Sequence, residues 1–141
     1  MTGFVLDGST AIAWCFEDEQ SDQAMSVRSG LDGGKAFVPT IWPLEVLNAL
    51  LSAERRRRIG PADTRRFLGL FAELPIVVAT SEDIVRWSPL ADLARRHGLT
   101  AYDAAYLDLS LQLGLPLATL DNTLRGAAKA AGVKLYEGPS K

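Results

Sequence analysis

The sequence predicts a three-layer α/β/α domain with a central parallel sheet of about five strands. Short apolar runs, each β-branched or bounded by Gly or Pro, alternate along the chain with longer segments of helical periodicity. The length of 141 residues, 48% of them apolar, suits one globule with a real hydrophobic core. We therefore expect residues 1–141 to form a single domain.

The predicted strands are apolar runs of three to six residues. In chain order they are FVL at 4–6, AFV at 36–38, PIVVA at 75–79, LPLATL at 115–120 and VKLY at 133–136. Because helical segments separate these runs, the connections favour parallel pairing with helices on both faces of the sheet.

Four longer segments carry the start signals of helices. The signals are Thr40 with Pro43, Gly60–Pro61, Ser88–Pro89 and Thr100. Gly114 is the expected residue just past the end of the fourth helix. Two of these helices fall between the second and third strands.

Composition excludes several classes of function. The net charge of −2 and pI near 5.4 argue against a basic surface for duplex DNA. A single cysteine, Cys15, cannot form an internal disulfide, and the lone His97 argues against a histidine zinc site or a Ser-His triad. No apolar run reaches membrane-spanning length and no secretory leader is evident, so we expect a cytoplasmic protein without membrane association.

Two aspartates follow predicted strands directly. Asp7 ends the first strand, and Asp121 ends the fourth. If these strands are neighbours, both carboxylates meet in one crevice, where ligands of parallel sheets bind. The alternative is that each aspartate caps the helix that follows.

Glu45 interrupts an otherwise apolar helical segment. Asn48 lies on the same helix face, and Ser52 continues that face one turn later. These side chains form either a solvent-facing stripe or a narrow polar stripe directed at a pocket.

Asp103 stands three residues after Thr100, as the acid of a capping box does. Tyr106 and Ser110 extend its helix face. This helix could therefore also present polar atoms to a cleft.

The four acids together indicate a metal site. Packing carboxylates side by side costs several kcal/mol through repulsion and desolvation, and a bound cation removes that cost. Oxygen ligands without His or Cys select Mg²⁺, or Mn²⁺ in its place, over zinc. A metal-bound water can attack phosphorus, so the pattern favours phosphodiester hydrolysis.

Four stretches resemble the PIN-domain ribonucleases, and specifically the VapC-type toxins of bacterial type II toxin–antitoxin pairs. They are VLDGSTAIAW, PLEVLNAL, LTAYDAAYLDLSLQLGLPLATLD and LRGAAKAAGV, and the similarity extends over essentially the whole chain. The resemblance implies strand order 3-2-1-4-5 and a Mg²⁺-dependent endoribonuclease. It also implies a homodimer that a cognate VapB-type antitoxin neutralises.

The resemblance also implies roles for individual residues. The metal-binding and catalytic acids would be Asp7, Glu45, Asp103 and Asp121, supported by Ser9, Asn48 and Thr119. Many related nucleases carry a further acid after the fourth, where this chain has Asn122. We therefore expect one firmly held ion, and a second metal in the RNA complex stays open.

One dense positive cluster lies between the second and third strands. Its members are Arg55, Arg56, Arg57, Arg58, Arg65 and Arg66. They could complement the negative end of a helix dipole, hold the RNA backbone, or pair with acids of the antitoxin.

Three rival functions fit the sequence less well. A haloacid-dehalogenase phosphatase needs a second Asp where this chain has Ser9. A receiver-like regulator needs an acceptor Asp after a middle strand and a late Lys, which the runs at 75–79 and 115–120 do not supply. A non-catalytic RNA- or protein-binding PIN domain is the remaining alternative.

Overall fold

The computed structural model describes residues 2–79 and 86–139. Its sheet has four parallel strands in the order β3-β2-β1-β4. The strands are β1 (Thr2–Leu6), β2 (Gly34–Val38), β3 (Ile76–Val78) and β4 (Leu117–Ala118). The helices are α1 (Gly8–Ala13), α2 (Asp22–Ser29), α3 (Trp42–Arg55), α4 (Pro61–Glu73), α5 (Trp87–His97), α6 (Ala101–Leu113) and α7 (Asn122–Ala130).

The predicted three-layer α/β/α class and the order of the first four strands are confirmed. The expected fifth strand at 133–136 is reduced to one parallel bridge between Leu117 and Leu135. The two-residue β4 leaves little backbone for a longer ladder. Side-chain packing holds the segment instead, because Tyr136 stacks on Phe4 with ring centroids 4.0 Å apart.

The core lies on both faces of the central strand. Phe4, Val5 and Leu6 of β1 are at most 1% exposed, as expected for a strand covered by helices on both sides. Leu50 of α3 and Leu107 of α6 are fully buried in the same core.

The signals at Gly60–Pro61 and Thr100 are confirmed as helix starts. The other two helices begin before their assigned starts, because α3 begins at Trp42 after Ile41 and α5 begins at Trp87 after Arg86. Thr100 caps α6, and Gly114 follows it in the left-handed conformation at φ 66°. The sequence interpretation left α2 unassigned, although Ser21 caps it by accepting a bond from the Ala24 N–H. No helix within the described ranges is long and apolar enough to cross a membrane.

Candidate active site

The carboxyl ends of β1 and β4 form the edge of the sheet that carries the first two acids. The two strands are neighbours, and the backbone N–H of Asp7 donates to the Ala118 carbonyl at 2.9 Å. Asp7 then begins α1, and Asp121 begins α7 three residues after β4. Adjacent parallel strands therefore place these aspartates at one edge.

Asp7 is a buried carboxylate held by two hydroxyls. Asp7 is only 5% exposed. Its Oδ2 accepts hydrogen bonds from Ser9 Oγ and Thr119 Oγ1, each at 2.7 Å. It makes no side-chain cap bond to α1. Burial raises the pKa of Asp7 above 3.8, although the two hydroxyl bonds oppose that rise. Capping therefore does not explain Asp7.

Thr119 joins the two aspartates. Its hydroxyl donates to Asp7 and accepts from the backbone N–H of Asp121 at 3.1 Å. Asp121 is also a genuine helix cap, since its Oδ1 accepts from the Thr123 N–H at 3.3 Å. The sequence interpretation missed Arg125, whose guanidinium donates to the Thr119 carbonyl at 2.9 Å and so fixes this turn from α7.

Glu45 enters the site from the first turn of α3. The hydroxyl of Tyr106, a fully buried residue of α6, donates to Glu45 Oε1 at 2.5 Å. Burial raises the pKa of Glu45, the tyrosine bond lowers it, and the charge of Asp7 raises it further. Asn48, the expected support for Glu45, lies exposed on α3, and Tyr106 provides the hydrogen bond instead.

The charges of the other three acids act on the carboxyl group of Asp103. It lies in the first turn of α6, where its backbone N–H donates to the capping Thr100 hydroxyl at 3.1 Å. Burial, and then the charges of Asp7, Asp121 and Glu45, raise the pKa of Asp103 to about 6. Four acids from four separate elements therefore lie near enough to one another for their charges to interact.

The donor set suits a hydrated hard cation. Within residues 2–79 and 86–139, no group of three or more acid, histidine or cysteine side chains is arranged to hold a metal ion. Mg²⁺ keeps several of its waters and commonly uses only one or two carboxylates directly. The carboxylate oxygens, mutually repelling without a counter-ion, fit that open mode of binding.

Crowding of the acids makes the stability of the metal-free protein depend on pH. The folded state holds the Asp103 proton up to about pH 6, whereas the unfolded chain releases it near 3.8. Folding thus binds protons between these values, so the free energy of unfolding falls as pH rises through this interval. We expect Asp103→Asn to melt above wild type at pH 7.5 in EDTA, with the difference vanishing near pH 4.

A matched control for this experiment is Asp22→Asn. Asp22 is an exposed acid in the first turn of α2, so its replacement removes the same favourable helix-dipole interaction without relieving any crowding. Equal melting temperatures of wild type and Asp103→Asn at pH 7.5 would contradict the repulsion among the acids.

The arginine cluster divides into paired and unpaired members. Arg58 pairs with Asp18 at 3.0 Å and Glu19 at 3.3 Å, and Arg66 pairs with Asp63 at 3.0 Å. Within the described part of the chain, four members make no side-chain hydrogen bond or ion pair. They are Arg55, Arg56, Arg57 and Arg65, and all four are exposed.

Comparison with known proteins identifies the family. A model described as "PIN domain" matches residues 4–130, which is most of the chain. The chain belongs to the PIN-domain family. VapC ribonuclease Mb0985 of Mycobacterium bovis and Ribonuclease VapC9 of Mycobacterium tuberculosis are each 31% identical to this PIN domain over 130 residues. The alignments cover 89% of this chain and 91% of each relative, which confirms the resemblance to VapC-type proteins.

Solved structures share the fold of this PIN domain at lower identity. PAE2754 from Pyrobaculum aerophilum superposes with a TM-score of 0.66 at 21% identity, over 89% of this chain and 86% of that one. VapBC2 from Rickettsia felis, bound to a DNA fragment from its promoter, gives 0.66 at 9% identity, over 96% and 98%. FitAcB from Neisseria gonorrhoeae gives 0.63 at 16% identity, over 94% and 96%.

Proposed function

We propose that this PIN domain is a Mg²⁺-dependent endoribonuclease, the toxin of a type II toxin–antitoxin pair acting in the cytoplasm. The observation that carries the proposal is the crevice itself, where Asp103 lies in the field of three other acids. The names of the two mycobacterial relatives support RNA as the substrate. Mn²⁺ would substitute for Mg²⁺ because the ligands are oxygens.

The four acids would hold the cation, which supplies charge neutralisation at phosphorus and a water of lowered pKa. Ser9 and Thr119 fix the Asp7 carboxylate through one oxygen, and Tyr106 fixes Glu45. These bonds limit the rotation of both carboxylates before any ligand binds. Asn122 is exposed and neutral beside Asp121, which favours one firmly held ion over two.

We also propose a VapB-type antitoxin partner and a homodimer. An apolar groove of about 290 Å³, lined by Trp14, Phe67, Leu70 and Phe71 among others, offers a surface for a partner segment. Trp87 is 77% exposed and Leu44 63%, which adds apolar area for contacts between chains. The VapBC2 name of one structural neighbour supports the antitoxin.

A non-catalytic RNA- or protein-binding role is the second candidate. The absence, among the described residues, of three acid, histidine or cysteine side chains arranged to hold a metal ion favours it. All four expected acids are nevertheless present. A purely binding role does not explain why four mutually repelling carboxyl groups lie close together.

A cleavage assay tests the proposed activity. We expect the purified protein to cut labelled RNA in Mg²⁺ or Mn²⁺ and to stop in EDTA. Because water attacks in place of the 2′-hydroxyl, the products should carry no 2′,3′-cyclic phosphate, which separates this activity from metal-independent ribonuclease contamination. Failure to cut a broad panel of RNAs with either metal, or equal cutting in EDTA, would refute the nuclease.

A further inference from the structure

A shallow furrow runs between α1 and α3 beside the acidic crevice. We name it the α1/α3 furrow. It encloses about 180 Å³ and is lined by Ile12, Phe16, Glu19, Ala49, Ser52, Ala53, Arg56 and Arg58. Its walls are two neighbouring helices, whose axes are typically ~8–10 Å apart. A volume of about 180 Å³ is too small for a double helix and suits part of one extended strand.

The furrow lies beside the contact of α1 with Glu45. Gly8, directly after Asp7, lies between the two helices, and a Cβ placed on it would sit 3.8 Å from Glu45 Cβ and 3.9 Å from Ile12 Cδ1. Ile12 is itself a furrow residue. Ile12 therefore links the furrow to the place where α1 approaches Glu45.

One face of α3 connects the two ends. Glu45, Asn48, Ser52 and Arg56 are spaced by three, four and four residues, which places them in one row along a helix. The helical bonding reaches the last of them, because the Arg56 N–H donates to the Ser52 carbonyl at 3.0 Å. With a rise of about 1.5 Å per residue, the row spans roughly 16 Å.

The two arginines that line the furrow differ in their pairing. Arg58 is neutralised by Asp18 and Glu19 and lies over the Phe16 ring at 4.4 Å. Arg56, in contrast, has no ion pair or hydrogen bond from its side chain to any described residue. An unpaired guanidinium thus stands at the end of the furrow farthest from the acids.

We propose that the α1/α3 furrow binds the single-stranded RNA that flanks the cleaved bond, with Arg56 holding a phosphate. This proposal rests on the proposed ribonuclease function. Stacked nucleotides rise about 3.4 Å along a strand, so the phosphate at Arg56 lies at most about five nucleotides from the cleaved one. Ile12 and Ala49 provide apolar contact for the intervening sugars and bases.

Binding of short RNAs tests the furrow. The probes are fluorescein-labelled oligouridylates of two to twelve nucleotides, measured by anisotropy in EDTA so that nothing is cut. We expect affinity to increase with length until a strand spans the furrow. Arg56→Ala should weaken binding of the longer probes about three- to tenfold, leave the shortest unchanged, and lower the salt slope by about 0.7.

Arg55→Ala is the matched control. Arg55 precedes Arg56 on α3, is also exposed and unpaired among the described residues, and does not line the furrow. Its variant should keep the increase of affinity with length. Equal losses in both variants would overturn the proposal in favour of a general positive field.

Two further outcomes separate this proposal from others. If Arg56→Ala binds RNA like wild type but loses affinity for the antitoxin, the furrow is a protein-binding site and the proposal is wrong. If the wild-type protein cuts no RNA in Mg²⁺, the ribonuclease function fails, while the anisotropy series still decides whether the furrow binds RNA.

Discussion

Replacing Asp7 by Asn is expected to lower RNA cleavage about a hundred- to a thousandfold without loss of stability. The substitution removes one negative charge from the metal site and leaves an amide oxygen that accepts the same bonds from Ser9 and Thr119. Because burial and Asp121 oppose ionisation of Asp7, the neutral amide relieves strain in the metal-free fold. Initial cleavage rates in Mg²⁺ and melting curves in EDTA measure the two effects.

Asp32→Asn is the control for this change. Asp32 is exposed in the turn before β2 and belongs to no part of the crevice, so its variant should cleave RNA at the wild-type rate. A large drop in the melting temperature of Asp7→Asn would instead assign Asp7 a structural role. Undiminished cleavage by that variant would remove it from the catalytic site.

Replacing Tyr106 by Phe is expected to lower kcat/KM about ten- to a hundredfold, the usual effect of losing a partner that orients a metal ligand. The Glu45 carboxylate loses its hydroxyl donor and its fixed orientation. Because that bond lowers the pKa of Glu45, its loss should move the acidic limb of the pH–rate profile to higher pH. A purely structural defect would reduce the rate without shifting the profile.

Tyr102→Phe offers the same chemical change on the same helix. Tyr102 is 60% exposed and has no role in the crevice, so its variant should keep both the rate and the pH profile. We expect Tyr106→Phe to lose only about 1 kcal/mol of stability, since the partly exposed Glu45 can bond to water instead. Wild-type kinetics in Tyr106→Phe would show that Glu45 needs no positioning.

Placement of Asp7 and Asp121 followed from the sequence because parallel strands end at one edge of a sheet. Thr119 can bond to both aspartates because β1 and β4 are neighbouring strands. The bond between Tyr106 and Glu45 joins residues 61 positions apart, and no local pattern sets the rotation of α6 against α3. The family resemblance therefore implied Asn48 as the support of Glu45, whereas the fold brings Tyr106 there.

The arginine cluster shows a second limit of sequence reasoning. A run of like charges does not reveal which members find partners, because the partners of Arg58 lie about 40 positions earlier. Only the packing of the turn at Glu17–Glu19 against the end of α3 separates Arg58 from Arg56. Arginines that are adjacent in the sequence thus differ in the fold, where some form ion pairs with acids and others do not.

The single bridge at Leu135 has a consequence for handling this protein. It shields the outer edge of β4, and Arg125 anchors the same segment by pairing with Glu137. A chain shortened before Leu135 would expose unpaired backbone groups beside Leu117, which is a template for pairing between molecules. An affinity tag or a proteolysis site that displaces or removes this segment would therefore promote self-association of the expressed protein.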